Sequence, residues 1–378
     1  MKRNNLPCEL IEDILSRVPA KTVARLRSTS KQWNAVLTSE SFAKAHSAAN
    51  ARKEALSIML RDSRVFTLKV NLHGIHNNGA PSVTVAAKLY LKDPLYLSSH
   101  VDICNVFHCD GLLLCNTMDN RLVVWNPCSG ETKWIKPKIN YKDSDNYALG
   151  YHNKSSCKKY KILRIDCSSS QYGGYYQHGG YHRYEIYDST SDSWMFFDTD
   201  TSWTLQARSI SVKGNTYWVA TDNTQAMGSA KTLVRFDYSK DIFENLSFPV
   251  NTFPISNATL SVVREEQLFV CCSYLHTAES DVWVTTRTGS VLSWSKFLTL
   301  KIDPEDALQH LTFMADEQNK VIVFCGINSA HQTVLHIMGK NKCIIVDPRG
   351  GDSTSRLCQP CLLNYVPSLA QIPQCNTS

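Results

Sequence analysis

Apolar and polar positions along this chain follow two different periods, and the change falls near residue 55. Before it, Leu10, Ile11, Ile14, Leu15 and Val18 recur at helical spacing and predict one apolar helix face. Pro7 suits a first helical turn, where its missing N–H costs nothing, and Pro19 stops the helix. Glu9, Glu12 and Asp13 place negative charge toward the positive end of that helix. Thr22 is placed to cap a second helix through Val23 and Leu26. Ser28 or Ser30 is placed to cap a third, with Trp33, Val36 and Leu37 on one side. An Ala-rich stretch from Glu40 to Ala55 predicts a spacer helix. Three helices of about ten residues cannot close a sizeable core by themselves. Their apolar faces either settle on the rest of the chain or dock on a partner, and periodicity leaves both open.

From Leu56 onward the period is two, in short runs rich in Val, Ile, Tyr, Phe and Trp separated by Gly, Asn, Asp and Ser. No long helical pattern intervenes, which argues against an alternating α/β architecture. A loose repeat runs through the region. Val123-Val124-Trp125-Asn126 followed by Trp134 corresponds to Ile186-Tyr187-Asp188 followed by Trp194, and to Val234–Tyr238 followed by Phe243. Trp283 with Trp294, and Ile345-Val346-Asp347, are weaker copies. The Asn or Asp after the aromatic suits a tight turn capped by its own side chain. Roughly twenty strands in such a repeat fit a closed ring better than a solenoid or a sandwich. The predicted fold is therefore a small N-terminal all-α module followed by an all-β domain, a β-propeller of about six blades.

Composition narrows the chemistry. Of 378 residues 43% are hydrophobic and 20% charged, enough apolar surface to order the chain. The uncharged apolar stretches, such as Leu112–Cys115 and Val321–Cys325, are strand-sized, far below the roughly 20 residues of a spanning helix. The net charge of +6 is scattered, without the basic stripe of a nucleic-acid reader, so neither membrane nor nucleic acid is expected as a partner. Fourteen Cys raise the question of disulfides or metal. Acidic residues interrupt the start of the chain where a signal peptide needs an apolar run, which points to an intracellular, reducing setting, nuclear or cytoplasmic. There the cysteines read as small buried apolar residues, and the glycosylation sequons as chance matches. Cys358 and Cys361 form half a zinc site without a second pair. His100, Cys104, His108 and Cys109 are the best remaining cluster, read as strand residues in preference to ligands. No nucleophile elbow, zinc-protease helix or phosphate loop is present, so no catalytic residue, metal or cofactor is expected.

The residues of the helical segment add a resemblance. Leu6-Pro7-x-Glu9-Leu10-x-x-Asp13-Ile14-Leu15-x-Arg17-Val18-Pro19, then Val23-x-Arg25-Leu26-Arg27, then Lys31-x-Trp33-x-x-Val36-Leu37 and Phe42, resembles the plant F-box almost position for position. Ser30 stands where that family often has Cys. The resemblance implies binding to a Skp-type adaptor and through it to a cullin-based ubiquitin ligase. Carried over, Leu6, Pro7, Leu10, Ile14, Leu15 and Val18 would contact the adaptor, while Trp33 and Leu37 hold the helices together. Asp110-Gly111-Leu112-Leu113-Leu114-Cys115, Leu122–Pro127 with Gly130 and Trp134, and Tyr147–Tyr151 with Tyr160-Lys161-Ile162 resemble the plant F-box-associated, kelch-related domain. The boundaries expected are an F-box at 1–45, a linker helix and first strands at 46–99, the propeller at 100–365 and a flexible tail at 366–378. The function implied is substrate recognition for an SCF-type ubiquitin ligase, with the propeller holding an unknown target protein and no chemistry of its own. The alternative is a propeller that binds a ligand or glycan outside any ligase. Gln171–Tyr184 cannot form a packed core, and its Tyr172, Tyr175, Tyr176 and Tyr181 read as target contacts on a loop, beside the plainer reading of a surface insertion.

Overall fold

Short helices come first, α1 (Cys8–Ser16), α2 (Ala20–Leu26) and α3 (Lys31–Leu37), and residues 41–43 and 45–46 are helical as well, within the stretch expected to be a spacer helix. The computed structural model describes residues 7–372 apart from 40, 44, 47–55, 73–74, 76–80, 96–99, 138–144, 153–157, 167–182, 198, 200, 223, 225–229, 251–254, 264–265, 276, 289–290, 303–308, 341 and 348–357. Pro7 and Pro19 occupy the N-cap positions of α1 and α2. The Pro19 carbonyl accepts from the backbone N–H groups of Thr22 and Val23 at 2.9 and 3.0 Å, so Thr22 lies inside α2 and is not its cap. Proline, with φ already fixed, starts that helix earlier than the side-chain signal suggests. The Ser30 Oγ caps α3 by accepting from Trp33 N–H at 3.1 Å. Leu15, Ala20, Val23, Leu37 and Phe42 meet between the helices, and one residue from the far end of the chain, Leu369, completes their cluster.

The rest is strand. The segments β1 (Leu56–Arg61), β2 (Arg64–Asn71) and β3 (Ser82–Leu89) precede β4 (Ile103–Cys109), β5 (Leu112–Thr117), β6 (Leu122–Trp125) and β7 (Thr132–Ile135). A third group is β8 (Asn146–His152), β9 (Lys159–Asp166), β10 (Arg183–Asp188) and β11 (Ser193–Phe197). The fourth is β12 (Trp203–Val212), β13 (Asn215–Asp222), β14 (Lys231–Asp237) and β15 (Ile242–Leu246). The fifth is β16 (Ile255–Val263), β17 (Gln267–Tyr274), β18 (Glu279–Thr288) and β19 (Val291–Lys301). β20 (Gln309–Asp316), β21 (Val321–Ile327), β22 (Thr333–Gly339) and β23 (Lys342–Val346) make the sixth, and β24 (Cys361–Tyr365) follows. They form six antiparallel four-stranded sheets, the blades of a β-propeller. β24 closes the ring by pairing with β1 in the register Leu56↔Tyr365 to Leu60↔Cys361, so the first blade is built from both ends of the domain. The ring thus begins at Leu56, within the stretch expected only to lead into it.

Alternation within strands explains the packing. Leu112 and Leu114 of β5 face the third blade while Leu113 and Cys115 face the first. Each blade interface is filled by its own buried cluster in this way. The three stronger copies of the sequence repeat fall on the two outer strands of successive blades. In each of these three the side-chain carboxylate or amide oxygen accepts from a backbone N–H two residues on. Asn126 accepts from Cys128 at 2.9 Å, Asp188 from Thr190 at 2.7 Å and Asp237 from Ser239 at 2.8 Å. Gly130, Asp192 and Asp241 then take positive φ at the end of the same turn, at 79°, 52° and 56°.

Of the flexible tail expected at 366–378, residues 366–372 are described and 373–378 lie outside the described residues. From Val366 to Ile372 the chain runs between the ring and the helices. The Asn126 amide donates to the carbonyls of Ser368 and Ala370 at 3.2 and 2.9 Å, and Ser368 Oγ donates to Asp110 O at 2.6 Å. Arg27 donates to Leu369 O at 3.1 Å, and Gln371 to Thr38 O at 2.9 Å. A segment without hydrophobic periodicity is fixed by side chains reaching its carbonyls from both sides. Gly111 makes room for it, since a Cβ there would lie 2.3 Å from Ser368 Oγ.

Candidate functional site

Two surfaces of the molecule can meet a partner, one on the helices and one on the ring. On α1, Ile11, Leu15 and Val18 form the stripe that faces α2 and α3. Leu10 and Ile14 lie around the helix from that stripe, at i and i+4, and are 51% and 54% exposed. Pro7, at the N-terminal end of the helix, is exposed beside them. Leu15, by contrast, is 6% exposed and buried with Val23, Leu37 and Phe42, where it holds the helices together. Val18 is half-buried against the same cluster, and its carbonyl contacts His46 Nε2 at 2.7 Å. Trp33 is half-buried and Leu37 fully buried. Leu6 lies outside the described residues.

Strand direction orients the ring. β24 runs from Cys361 toward Leu369 and the helices, and β1 starts beside its far end. The β4–β5 turn at Asp110 and the β6–β7 turn at Cys128 and Glu131 lie at that same end. The helices therefore sit on the face where the inner strands finish, the exit face. The opposite, entrance face carries the starts of the inner strands, the end of β9 and the start of β10. Asp166 and Arg183, paired across the base of the β9–β10 connection, stand at the entrance face. Tyr172, Tyr175, Tyr176 and Tyr181 belong to the connection and lie outside the described residues.

The inner strands surround a central channel of about 300 Å³, lined from β4, β12, β16, β20 and β24. Toward the entrance are Gln206, Arg208, Asn257 and Gln359, and toward the exit His108, Ser261 and Asn364. His108 is buried, accepts from Gly111 N–H at 3.1 Å and packs edge-on to Tyr365. Burial holds its pKa down at about 4, so its imidazole is neutral. The neighbouring Cys109 points the other way, into the core toward the third blade. His100 meets the ring of Tyr90 at the blade edge, and among the described residues no group of three or more His, Cys, Asp or Glu side chains could hold a metal. Burial raises the thiol pKa values of Cys115, Cys271, Cys272 and Cys325, to about 12 in the last two, which keeps them protonated and poorly nucleophilic. Among the described residues no helix is long and apolar enough to cross a membrane.

Sequence reasoning overlooked two residues that matter here. Leu369 has no periodic neighbours to mark it as core. Arg208 carried a faint signal, as a charged side chain alternating with Gln206 in a strand otherwise set between blades.

Comparison with known proteins follows the same division. The F-box domain model matches residues 4–44 and the F-box associated beta propeller domain model matches residues 56–372. An Arabidopsis thaliana protein named "Putative F-box protein At3g23260" is 52% identical over 98% of this chain and 100% of its own length. Another from the same plant, "Putative F-box protein At4g10190", is 43% identical over 98% of this chain and 100% of its own. Among solved structures, TolB from Acinetobacter baumannii matches 85% of this chain and 72% of its own at 10% identity and a TM-score of 0.44.

Proposed function

Since the chain belongs to the F-box proteins that carry an F-box-associated β-propeller, we propose that it is the substrate-recognition subunit of an SCF-type ubiquitin ligase inside the cell. The observation that carries this reading is the pair Leu10 and Ile14, large apolar side chains more than half exposed on one face of α1. Water contact at such a face is unfavourable, and a groove on a Skp-type adaptor removes it. Pro7 extends the docking face, and Val18 borders it. The adaptor links the chain to a cullin and to the ubiquitin-charged enzyme. The propeller then holds a target protein within reach, so that catalysis is by proximity and the chain contributes no chemistry of its own.

Target contacts are assigned to Tyr172, Tyr175, Tyr176 and Tyr181, because Tyr offers large contact area at low side-chain entropy cost.

Co-expression with a Skp-type adaptor tests the reading. A stable complex is expected from the unaltered chain, and none from the double variant Leu10→Lys, Ile14→Lys, which retains its fold because both side chains point outward. Undiminished adaptor binding by the double variant would sink the proposal. Replacing the four tyrosines by Ser is expected to lower target capture while leaving the adaptor complex intact.

A further inference from the structure

The two ends of the channel use their polar side chains differently. At the exit end they are tied to backbone groups of neighbouring strands. Ser261 Oγ donates to Phe313 O at 2.5 Å, Asn364 Nδ2 to Val262 O at 2.6 Å, and Thr312 Oγ1 accepts from Leu362 N–H at 2.9 Å. The Ser261 and Thr312 bonds knit one blade to the next, and the Asn364 bond reaches past the sixth blade to the fifth. At the entrance end the side chains of Gln206, Ser209, Asn257 and Thr259 line the channel and make no hydrogen bond to any described residue. Arg208 stands beside them, half-buried in the channel, with one guanidinium N–H group donating to Pro360 O at 3.2 Å. Among the described lining residues none is acidic and Arg208 alone carries a fixed charge. Its positive field also reaches the buried thiol of Cys361, where it opposes the upward shift that burial causes.

We propose that the entrance end of the channel binds a carboxylate group, held by Arg208 and flanked by Gln206, Asn257 and Thr259. A planar guanidinium presents parallel N–H donors that match the two oxygens of a carboxylate. One fixed positive charge balances one carboxylate, whereas a phosphate close to two negative charges would remain half-neutralised. The amide and hydroxyl groups beside Arg208 supply further donors, in a site where water is partly excluded. A volume of about 300 Å³ lies at the small end of ligand pockets, which suits one carboxylate end of a short acid whose other end stays in solvent, or one acidic side chain entering from a bound protein. The assignment stands apart from adaptor docking, because Gln206, Arg208 and Asn257 lie toward the starts of their strands, away from the helices.

Calorimetric titration of the full chain without adaptor provides the test, with three probes: glutarate, its uncharged analogue glutaramide, and an acetylated, amidated Gly-Glu-Gly peptide. Saturable binding of glutarate or of the peptide is expected, with glutaramide weaker by about tenfold or more. Binding of both charged probes assigns the site to free carboxylates, and binding of the peptide alone assigns it to an acidic side chain of the target. Arg208→Gln is expected to lose about tenfold or more in affinity for whichever charged probe binds. Asn257→Asp leaves the Arg208–Pro360 contact untouched and sets a negative charge beside the site, so it should weaken binding similarly even if Arg208→Gln disturbs the fold. Failure of both charged probes to bind would overturn the proposal. So would equal affinity for glutarate and glutaramide, or unchanged affinity in Asn257→Asp.

Discussion

The helical module and the ring are both finished by the same short piece of chain, but by different means. β24 closes the ring through a backbone ladder of five register pairs, with Cys361, Leu362 and Tyr365 buried against neighbouring strands. A few residues on, Leu369 completes the helical core as one apolar plug, secured by hydrogen bonds from Arg27, Asn126 and Gln371. The ring buries apolar side chains on both faces of most strands and is closed in all directions. The helices have one inner face, and their outer face is left to Leu10 and Ile14. The exposed apolar pair is thus carried by the smaller unit, whose own core is completed by Leu369 from beyond the ring.

The sharpest way to separate the two modes of closure is to end the chain at Leu357. That removes β24 and Leu369 together, and the expected result is loss of any cooperative thermal transition, because an open ring leaves two blade faces bare. A cooperative transition near that of the full chain would refute the closing role of β24. Leu369→Ala should instead cost about 2–4 kcal/mol, felt in the helices and not in the blades. Hydrogen exchange checks this, with faster exchange expected in α3 and unchanged exchange in β13 and β14. Equal effects on both would mean that the two units open as one.

A smaller effect probes the exit end of the ring alone. His108 titrates near 4 in the folded chain against an ordinary value of 6.5. The unfolded chain therefore binds its proton first, so this contribution to stability is complete above pH 6.5 and declines as pH falls toward 4. At pH 5 the loss amounts to about 2 kcal/mol. Urea midpoints at pH 7 and pH 5 should fall further apart in the natural chain than in His108→Gln, and an identical gap would contradict the burial argument. Smallest of all is Gly130→Ala. Nothing lies within 4 Å of the added Cβ, so only the positive φ is penalised, by about 1 kcal/mol. Denaturant unfolding should record that shift. A much larger one would imply that the turn also seats the segment bearing Leu369.

Local rules account for most of what the sequence revealed. Asn126, Asp188 and Asp237 cap turns within a few residues of themselves, and their spacing exposed both the repeat and the ring. The exposed pair on α1 was legible for the same reason, through a resemblance concentrated in one short stretch. What escaped was non-local. Ile14 and Leu15 are adjacent and equally apolar, and only the position of α2, α3 and Leu369 decides that one faces out and the other in. The pairing of β24 with β1 joins residues some three hundred positions apart, which no periodicity encodes. The side chains at the channel entrance come together only when blades from distant parts of the chain are arranged around one axis, so Arg208 and Asn257 looked like ordinary strand polar residues.

The order in which the chain is synthesised gives the shared closing segment a further meaning. α1 emerges from the ribosome first, with Leu10 and Ile14 already in place, whereas β24 and Leu369 follow every other described element. A product that stops early in the last blade carries the docking residues but lacks both the strand that shuts the ring and the plug beneath α1. It would present open blade edges and a loosened helical module together, the features that chaperones and proteases recognise. Placing both closures in one late segment couples completion of the helical core to completion of the ring, so an incomplete chain lacks both at once.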